Sequence, residues 1–396
     1  MNVPRSLITV DEARRMILDN SSLLPSLLLS LEQAAGLVLA EDVHAPVSVP
    51  GFHQSGMDGY ALRSASLGAP IPIQGEQAAG ASDRPVLRQG TAMRIFTGAP
   101  VPEGADMVVM QEKTRVENGD LIITDPSLKA GDNIRLRGSE IGEGDLSLAK
   151  GALLHAGAIG FLAGTGVAMV KAFPKPRVSI IVTGNELQEP GLKLSHGQVY
   201  EANSYALRAA LKQAGINDAA VHYSPDDPET LTAVLKVALE QSDIVLMTGG
   251  VSVGDHDHTR RSAESCGVEI IFHKVKQRPG KPILFGKGNG KLLFGLPGNP
   301  ASVLTCFYEY VCVALEACTG RKVQPRVVHV PIATDFKKAA GLTHFLKGYY
   351  DGVKVNALHA QESYRLSSFA MANCLIRVDE SVTELRSGEE VEIHLI

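Results

Sequence analysis

The stretch "PGFHQSGMDGYALRS" (residues 50–64) holds one carboxylate, Asp58, between Met57 and Gly59, with a further glycine at 56. A turn of this composition either spends the acid on its own backbone or holds it clear of other side chains for a partner elsewhere. Farther along, four apolar runs each end in a glycine-rich polar loop: "SIIVTGNEL", "DIVLMTGGVSVGDHDHT", "IIFHKVKQRPGKP" and "LLFGLPGNPAS". Glycines let backbone N–H groups approach phosphate oxygens, and a helix starting at such a loop adds its positive end. Together the loops point to a phosphorylated ligand, while any one of them also reads as a tight strand-to-helix turn.

Charged residues crowd the same loops. Lys274, Lys276, Arg278 and Lys281 lie within eight residues. A turn at Pro279-Gly280 that folds them inward would suit an oxyanion, and a solvated basic stretch is the alternative. Asp257, with Glu186 and Asp226 or Asp227, could supply hard oxygen ligands to a Mg2+ ion that bridges to phosphates. Asp226 and Asp227 read equally well as acids at a helix start. The run "GDHDHT" alternates carboxylates and imidazoles, but alternate positions of an extended chain face opposite ways, so the four cannot share one ion. There is no GxxxxGK[ST] loop, no GxGxxG after a strand and no GxSxG elbow, so NTPase, dinucleotide and covalent hydrolase chemistry lose support.

These residues need a scaffold. Apolar runs near 178–183, 243–248, 269–273 and 292–296 alternate with helical stretches near 204–214, 228–241 and 300–317. That alternation implies a mostly parallel sheet covered by helices, with the loops on one edge. Asn203 and Gly215 bracket one helix, and Asn299-Pro300 supplies a cap and a first-turn proline for another. Upstream, "TVDE" from Thr9 has capping-box spacing before a first helix. Residues 86–146 read as β-rich, with Asn118-Gly119 as a hairpin turn. Residues 321–396 return to short strands and predict a small all-β module.

Composition narrows the class. A 396-residue chain exceeds one ordinary core, so several domains are expected. A net charge of −5 without a basic block gives no footprint for duplex nucleic acid. Five cysteines without metal or redox spacing read as reduced core residues of a cytoplasmic protein. Charged residues near the N-terminus argue against a signal peptide. Residues 151–170 carry no charge, yet their glycines suit a buried helix and strand better than a membrane span.

The motifs "SGMDGYA", "RIFTGAPVPEGADMVVMQE", "TGNEL", "TGGVSVGDHD", "RPGKP", "GLPGNPAS" and "QESYRLSSFAMANCLI" occur in order over nearly the whole chain. In combination they resemble the molybdopterin molybdenumtransferases, the MoeA family that includes the gephyrin E domain. The resemblance implies an enzyme of molybdenum cofactor biosynthesis that inserts molybdate into adenylylated molybdopterin and releases AMP, with Mg2+ as cofactor. It implies four domains: a discontinuous extended domain (1–45 and 141–170), an inserted β-rich domain (46–140), a MogA-like α/β molybdopterin-binding domain (171–320) and a C-terminal β-barrel (321–396). A homodimer with a shared site, a molybdopterin adenylyltransferase as upstream donor, and neither nucleic acid nor membrane as partner complete the expectation.

Residue by residue, the resemblance gives catalytic roles to Asp58, Thr97, Glu186, Asp226 and Asp257, with Asp58 and Thr97 reaching the nucleotide across the dimer. Pterin and phosphate contacts fall to Gly249, Gly250, Ser252, Lys274, Arg278, Lys281, Gly298 and Asn299. Molybdate falls to Lys281, Ser302, Lys347 and Ser363, and Mg2+ to Asp257 and Glu186. The chain departs from the family pattern at Asn185, Glu140, Arg278, Lys347 and Glu362. Lys347 stands where arginine is usual, and Glu362 puts an acid beside Ser363. A tungstate-inserting enzyme and a non-catalytic pterin-binding or scaffold paralogue are the alternatives.

Overall fold

The computed structural model describes residues 7–250 and 258–396. The chain divides into two compact units, Leu28–Ala172 and a second in which residues up to Leu27 join Phe173–Ile396.

A six-stranded sheet organises the second unit, in the order Ala220–Ser224, Val178–Thr183, Ile244–Thr248, Lys291–Leu296, Leu284–Gly288, Glu269–His273. The first four strands are parallel, and Leu284–Gly288 turns antiparallel to both of its neighbours. Every residue of Val178–Thr183 and Ile244–Thr248 is buried, which explains their unbroken apolar character: helices cover both faces. Val10–Asn20, Asn203–Gln213 and the helix from Pro300 pack on one face, and Pro228–Gln241 and His258–Ser265 on the other.

Local chemistry sets the helix ends, with some departures from expectation. Thr9 and Glu12 form the capping box reciprocally, and Val10, Ala13 and Ile17 bury their side chains in the α/β core. Residues 8–20 therefore pack with the α/β domain rather than with the extended domain of the expected 1–45 segment. Periodicity showed that this helix has an apolar face, not which core receives it. Asn203 is the first helical residue and not a cap. The Glu201 carboxylate instead accepts from the Ser204 amide at 2.8 Å, and the Asn203 amide group donates to the Gly298 carbonyl at 2.8 Å. The stretch expected as one helix over 300–317 is two, Pro300–Cys306 and Cys312–Thr319, joined by a π turn over Phe307–Val311. This apolar stretch is long enough to cross a membrane but is mostly buried inside the protein, as a core helix is.

The C-terminal residues form a second sheet in the order Gln277–Arg278, Thr343–Tyr350, Cys374–Val378, Glu390–Leu395, Arg326–Pro331. Its first member comes from the α/β domain: Gln277–Arg278 pairs in parallel with Thr343 and His344. The five cysteines are free, and all but Cys266 are buried.

In the other unit, a six-stranded sheet runs Met107–Met110, Gly59–Leu62, Ala92–Ile95, Ile71–Gln77, Asp120–Ile123, Thr114–Glu117. The expected hairpin is present, with Asn118 and Gly119 both at positive φ between Glu117 and Asp120. Helix Ala156–Gly164 and strand Met169–Phe173 account for the uncharged 151–170 stretch. Gly59 lies where a Cβ would stand 1.8 Å from the Val109 carbonyl oxygen. Gly59→Ala must push two paired strands apart, and it is expected to destabilise this unit by about 3 kcal/mol. Urea denaturation of the variant against wild type checks this, and an unchanged midpoint would refute the close approach.

Candidate functional site

In the first unit, antiparallel register makes a local site. Gly59 opposes Ile95, so Asp58, just before one strand, meets Thr97, two residues past the end of its neighbour. Asp58 Oδ1 accepts from both the Thr97 amide and its hydroxyl at 2.7 Å. Those two bonds lower the Asp58 pKa, and Arg94 adds to the effect. Both residues remain exposed, so the carboxylate is ionised, oriented and accessible.

Arg94, which the sequence reading did not single out, holds this corner. Its guanidinium donates to the Gly59 carbonyl and to Gln111 Oε1, and it lies 5.1 Å from the ring centroids of both Tyr60 and Phe96. No spacing rule would find it, because its partners come from three strands or strand ends.

In the second unit, the loops after Val178–Thr183, Ala220–Ser224, Ile244–Thr248 and Lys291–Leu296 all leave from the carboxyl edge of the sheet. They line a cavity of about 800 Å³ with Glu186, Asp226, Gly249, Gly250, Lys281, Gly298, Asn299 and Tyr364 at its walls. Gly249 and Gly250 have φ of 86° and 65°. A Cβ at Gly249 would stand 2.6 Å from the Thr183 carbonyl oxygen. Only glycine fits there, and it leaves backbone exposed to a ligand. Asn185 and Asp226 hold each other through long reciprocal backbone-to-side-chain bonds, at 3.4 and 3.3 Å.

A second cavity of about 500 Å³ shares Lys281 and Asn299 with the first and adds Arg278, Ser302 and Ser363. The side chains of Arg278 and Lys281 form no ion pair, and the Ser302 hydroxyl makes no hydrogen bond, among the described residues. Ser363 Oγ accepts from Asn299 Nδ2 at 2.8 Å, and its carbonyl accepts from the Ala301 amide. Its hydroxyl proton is thereby left to donate. Glu362, the extra acid, pairs with Arg365 at 3.3 Å, which offsets its charge.

Asp257 and Ser252 lie outside the described residues. Lys274 lines neither cavity. Lys347 is buried, and its ammonium donates to the carbonyls of Ala360, Glu362 and Arg365. Burial lowers its pKa, with the nearby Glu362 opposing. Among the described residues no three acid, histidine or cysteine side chains converge as a metal cluster.

A sheet whose carboxyl-edge loops gather glycine backbone and two acids at one cavity, and at a second that shares Lys281 two cations without ion pairs among the described residues, is a binding domain for an anionic ligand. Residues 8–166 match the MoeA N-terminal region (domain I and II), residues 179–317 a probable molybdopterin binding domain, and residues 329–396 the MoeA C-terminal region (domain IV). A molybdopterin molybdenumtransferase of Haemophilus influenzae is 34% identical over 400 residues, 98% of each chain. One from Staphylococcus aureus is 33% identical over 403 residues, 99% of this chain and 96% of its own. A crystal structure of the molybdopterin biosynthesis MoeA protein from Pyrococcus horikoshii superposes with a TM-score of 0.80 at 28% identity, covering 99% of this chain and all of that one. The chain belongs to the MoeA family of molybdopterin molybdenumtransferases.

Proposed function

We propose that the protein inserts molybdate into adenylylated molybdopterin with release of AMP, completing molybdenum cofactor. The observation that carries this reading is Lys281, shared by a large cavity of glycine loops and acids and a smaller one of cations and hydroxyls. The larger suits the pterin nucleotide. The smaller offers Arg278, Lys281, Ser302 and Ser363 to a tetrahedral oxyanion, a donor set matched to its charge and shape. The Mg2+ ligands of this reading are Glu186, at the wall of the larger cavity, and Asp257, which lies outside the described residues; hard carboxylate oxygens suit an ion that keeps waters and binds phosphate, and it would supply charge neutralisation there. The protein's own work is to orient the two substrates and stabilise the charge that develops as AMP leaves.

In this reading the protein works as a homodimer, and Asp58 and Thr97 of one copy serve the nucleotide held by the other. The outward, ionised carboxylate of Asp58 supports that role. A molybdopterin adenylyltransferase would supply the substrate, and the free cysteines suit a reducing cytoplasm.

Purified protein incubated with adenylylated molybdopterin and Mg2+ is expected to release AMP only when molybdate is added, and Asp58→Ala to lower that rate about 100-fold. Binding of the nucleotide without molybdate-dependent AMP release would overturn the insertion reading, and a response to tungstate alone would replace it with the tungstate enzyme.

A further inference from the structure

A lysine ammonium has three protons to donate. Those of Lys347 meet the Ala360 carbonyl at 2.7 Å, the Arg365 carbonyl at 3.1 Å and the Glu362 carbonyl at 3.2 Å. None is left for an oxyanion, and the side chain is 2% exposed. The same loop is tied again at its base. Gln361 Oε1 accepts from the Lys347 amide, while Gln361 Nε2 donates to the Lys347 and Leu358 carbonyls. Ser368 Oγ donates to the Ala360 carbonyl. Ala360 itself sits at φ 59°, a left-handed conformation that a non-glycine residue keeps only when its surroundings hold it.

What this loop carries is Ser363 and Tyr364. Ser363 is fixed on its far side by Asn299 and Ala301, and Tyr364, 60% exposed, lines both cavities. The loop is thus gripped from the C-terminal sheet by Lys347 and from the α/β domain by the 299–301 turn, with the Ser363 hydroxyl between the two grips.

We infer that Lys347 is a positioning residue: it straps residues 360–365 so that Ser363 and Tyr364 face the cavities, and it does not itself contact the oxyanion. The inference rests on the transferase reading only for which anion Ser363 meets. Lys347→Met keeps the length and removes the three donors. Gln361→Ala keeps the lysine charge and loosens the same loop. Lys347→Arg keeps the charge but presents a planar fork that cannot reach three diverging carbonyls.

Two measurements are made on the full-length variants: the molybdate dependence of AMP release, and the rate of tryptic cleavage after Arg365. The strap predicts that Lys347→Met and Gln361→Ala each raise the half-saturating molybdate concentration at least tenfold, with the maximal rate changed less than threefold. It also predicts cleavage at least tenfold faster in both, and no rescue by Lys347→Arg. A normal molybdate response in Lys347→Arg and Gln361→Ala, with loss only in Lys347→Met, would overturn it in favour of direct contact with the oxyanion. Unchanged cleavage in all three variants would overturn it equally. If wild type releases no AMP with molybdate, the transferase reading falls, and the cleavage series still decides the strap.

Discussion

Lys281→Met is expected to reduce molybdate-dependent AMP release about 1,000-fold while leaving stability within about 0.5 kcal/mol of wild type. The asymmetry follows from its surroundings. Lys281 has no ion-pair partner among the described residues, so its removal strands no buried counter-charge there. Yet it is the cation common to both cavities, where a fixed positive charge acts on the oxyanion and the nucleotide at once. A preorganised donor of this kind is worth far more in a partly dry cleft than in water. Lys281→Arg should recover part of the rate, since charge survives and geometry does not. Steady-state AMP release and thermal unfolding of the two variants check the pair of expectations. A melting loss as large as the activity loss would make Lys281 a structural residue.

The second large effect concerns a buried charge chain. Glu309, fully buried in the π turn, accepts from Arg14 at 3.1 Å and bonds His394 Nδ1 at 2.7 Å. His394 Nε2 bonds Glu392 at 2.8 Å, and Arg377 holds Asp11 through two bonds near 3 Å. The first helix, the π turn and the C-terminal sheet are joined by this chain. Glu309→Ala leaves Arg14 and His394 without their buried counter-charge and should cost about 4 kcal/mol, read from denaturant unfolding of this unit.

The same chain sets a pH dependence. Burial alone would lower the His394 pKa, but its bonds to Glu309 and Glu392 outweigh that and raise it from 6.5 to about 9. The folded state therefore binds the proton more tightly than the unfolded one. The stabilisation is complete below about 6.5 and lost as pH rises through about 9, an effect of about 3 kcal/mol. On the acid side Glu392, held below its ordinary value of 4.5 by the His394 bond, loses its contribution as pH falls. Unfolding measured from pH 6 to 10 should show the decline in wild type, and Glu309→Gln should move it toward the ordinary histidine range. A flat wild-type profile would refute the charged imidazolium.

Much of this framework was legible in the sequence where one local rule decides one local outcome. The Thr9 capping box, the Asn118-Gly119 hairpin and the loops at the carboxyl edge depend on residues close in the chain, or on strand direction, and each formed as read. What stayed hidden depends on partners far away. Asn299 begins its helix, yet its side chain caps nothing and goes to Ser363, 64 residues on. Glu201 does the work expected of Asn203 because a buried carboxylate reaches the Ser204 amide and hydroxyl together. The π turn has no periodic signature, since one extra residue in a mostly apolar run of twenty leaves its neighbours apolar, and the buried Glu309 within it is satisfied by partners far away in the chain. Lys347 carried the charge expected of an oxyanion ligand, and only the three carbonyls around it reveal where that charge points.

The pairing of Gln277–Arg278 with Thr343 and His344 makes the C-terminal sheet incomplete without a strand borrowed from the α/β domain. Gln277 is fully buried there and bonds the Tyr310 hydroxyl in the core. Arg278, the next residue, therefore has its place at the cavity fixed by the two modules jointly. A chimera that exchanged the last seventy or so residues for those of a relative would alter the backbone partner of Arg278 without touching any cavity residue upstream of the junction. Inheritance of this site is accordingly a property of matched modules, and recombination between them is constrained at a two-residue seam.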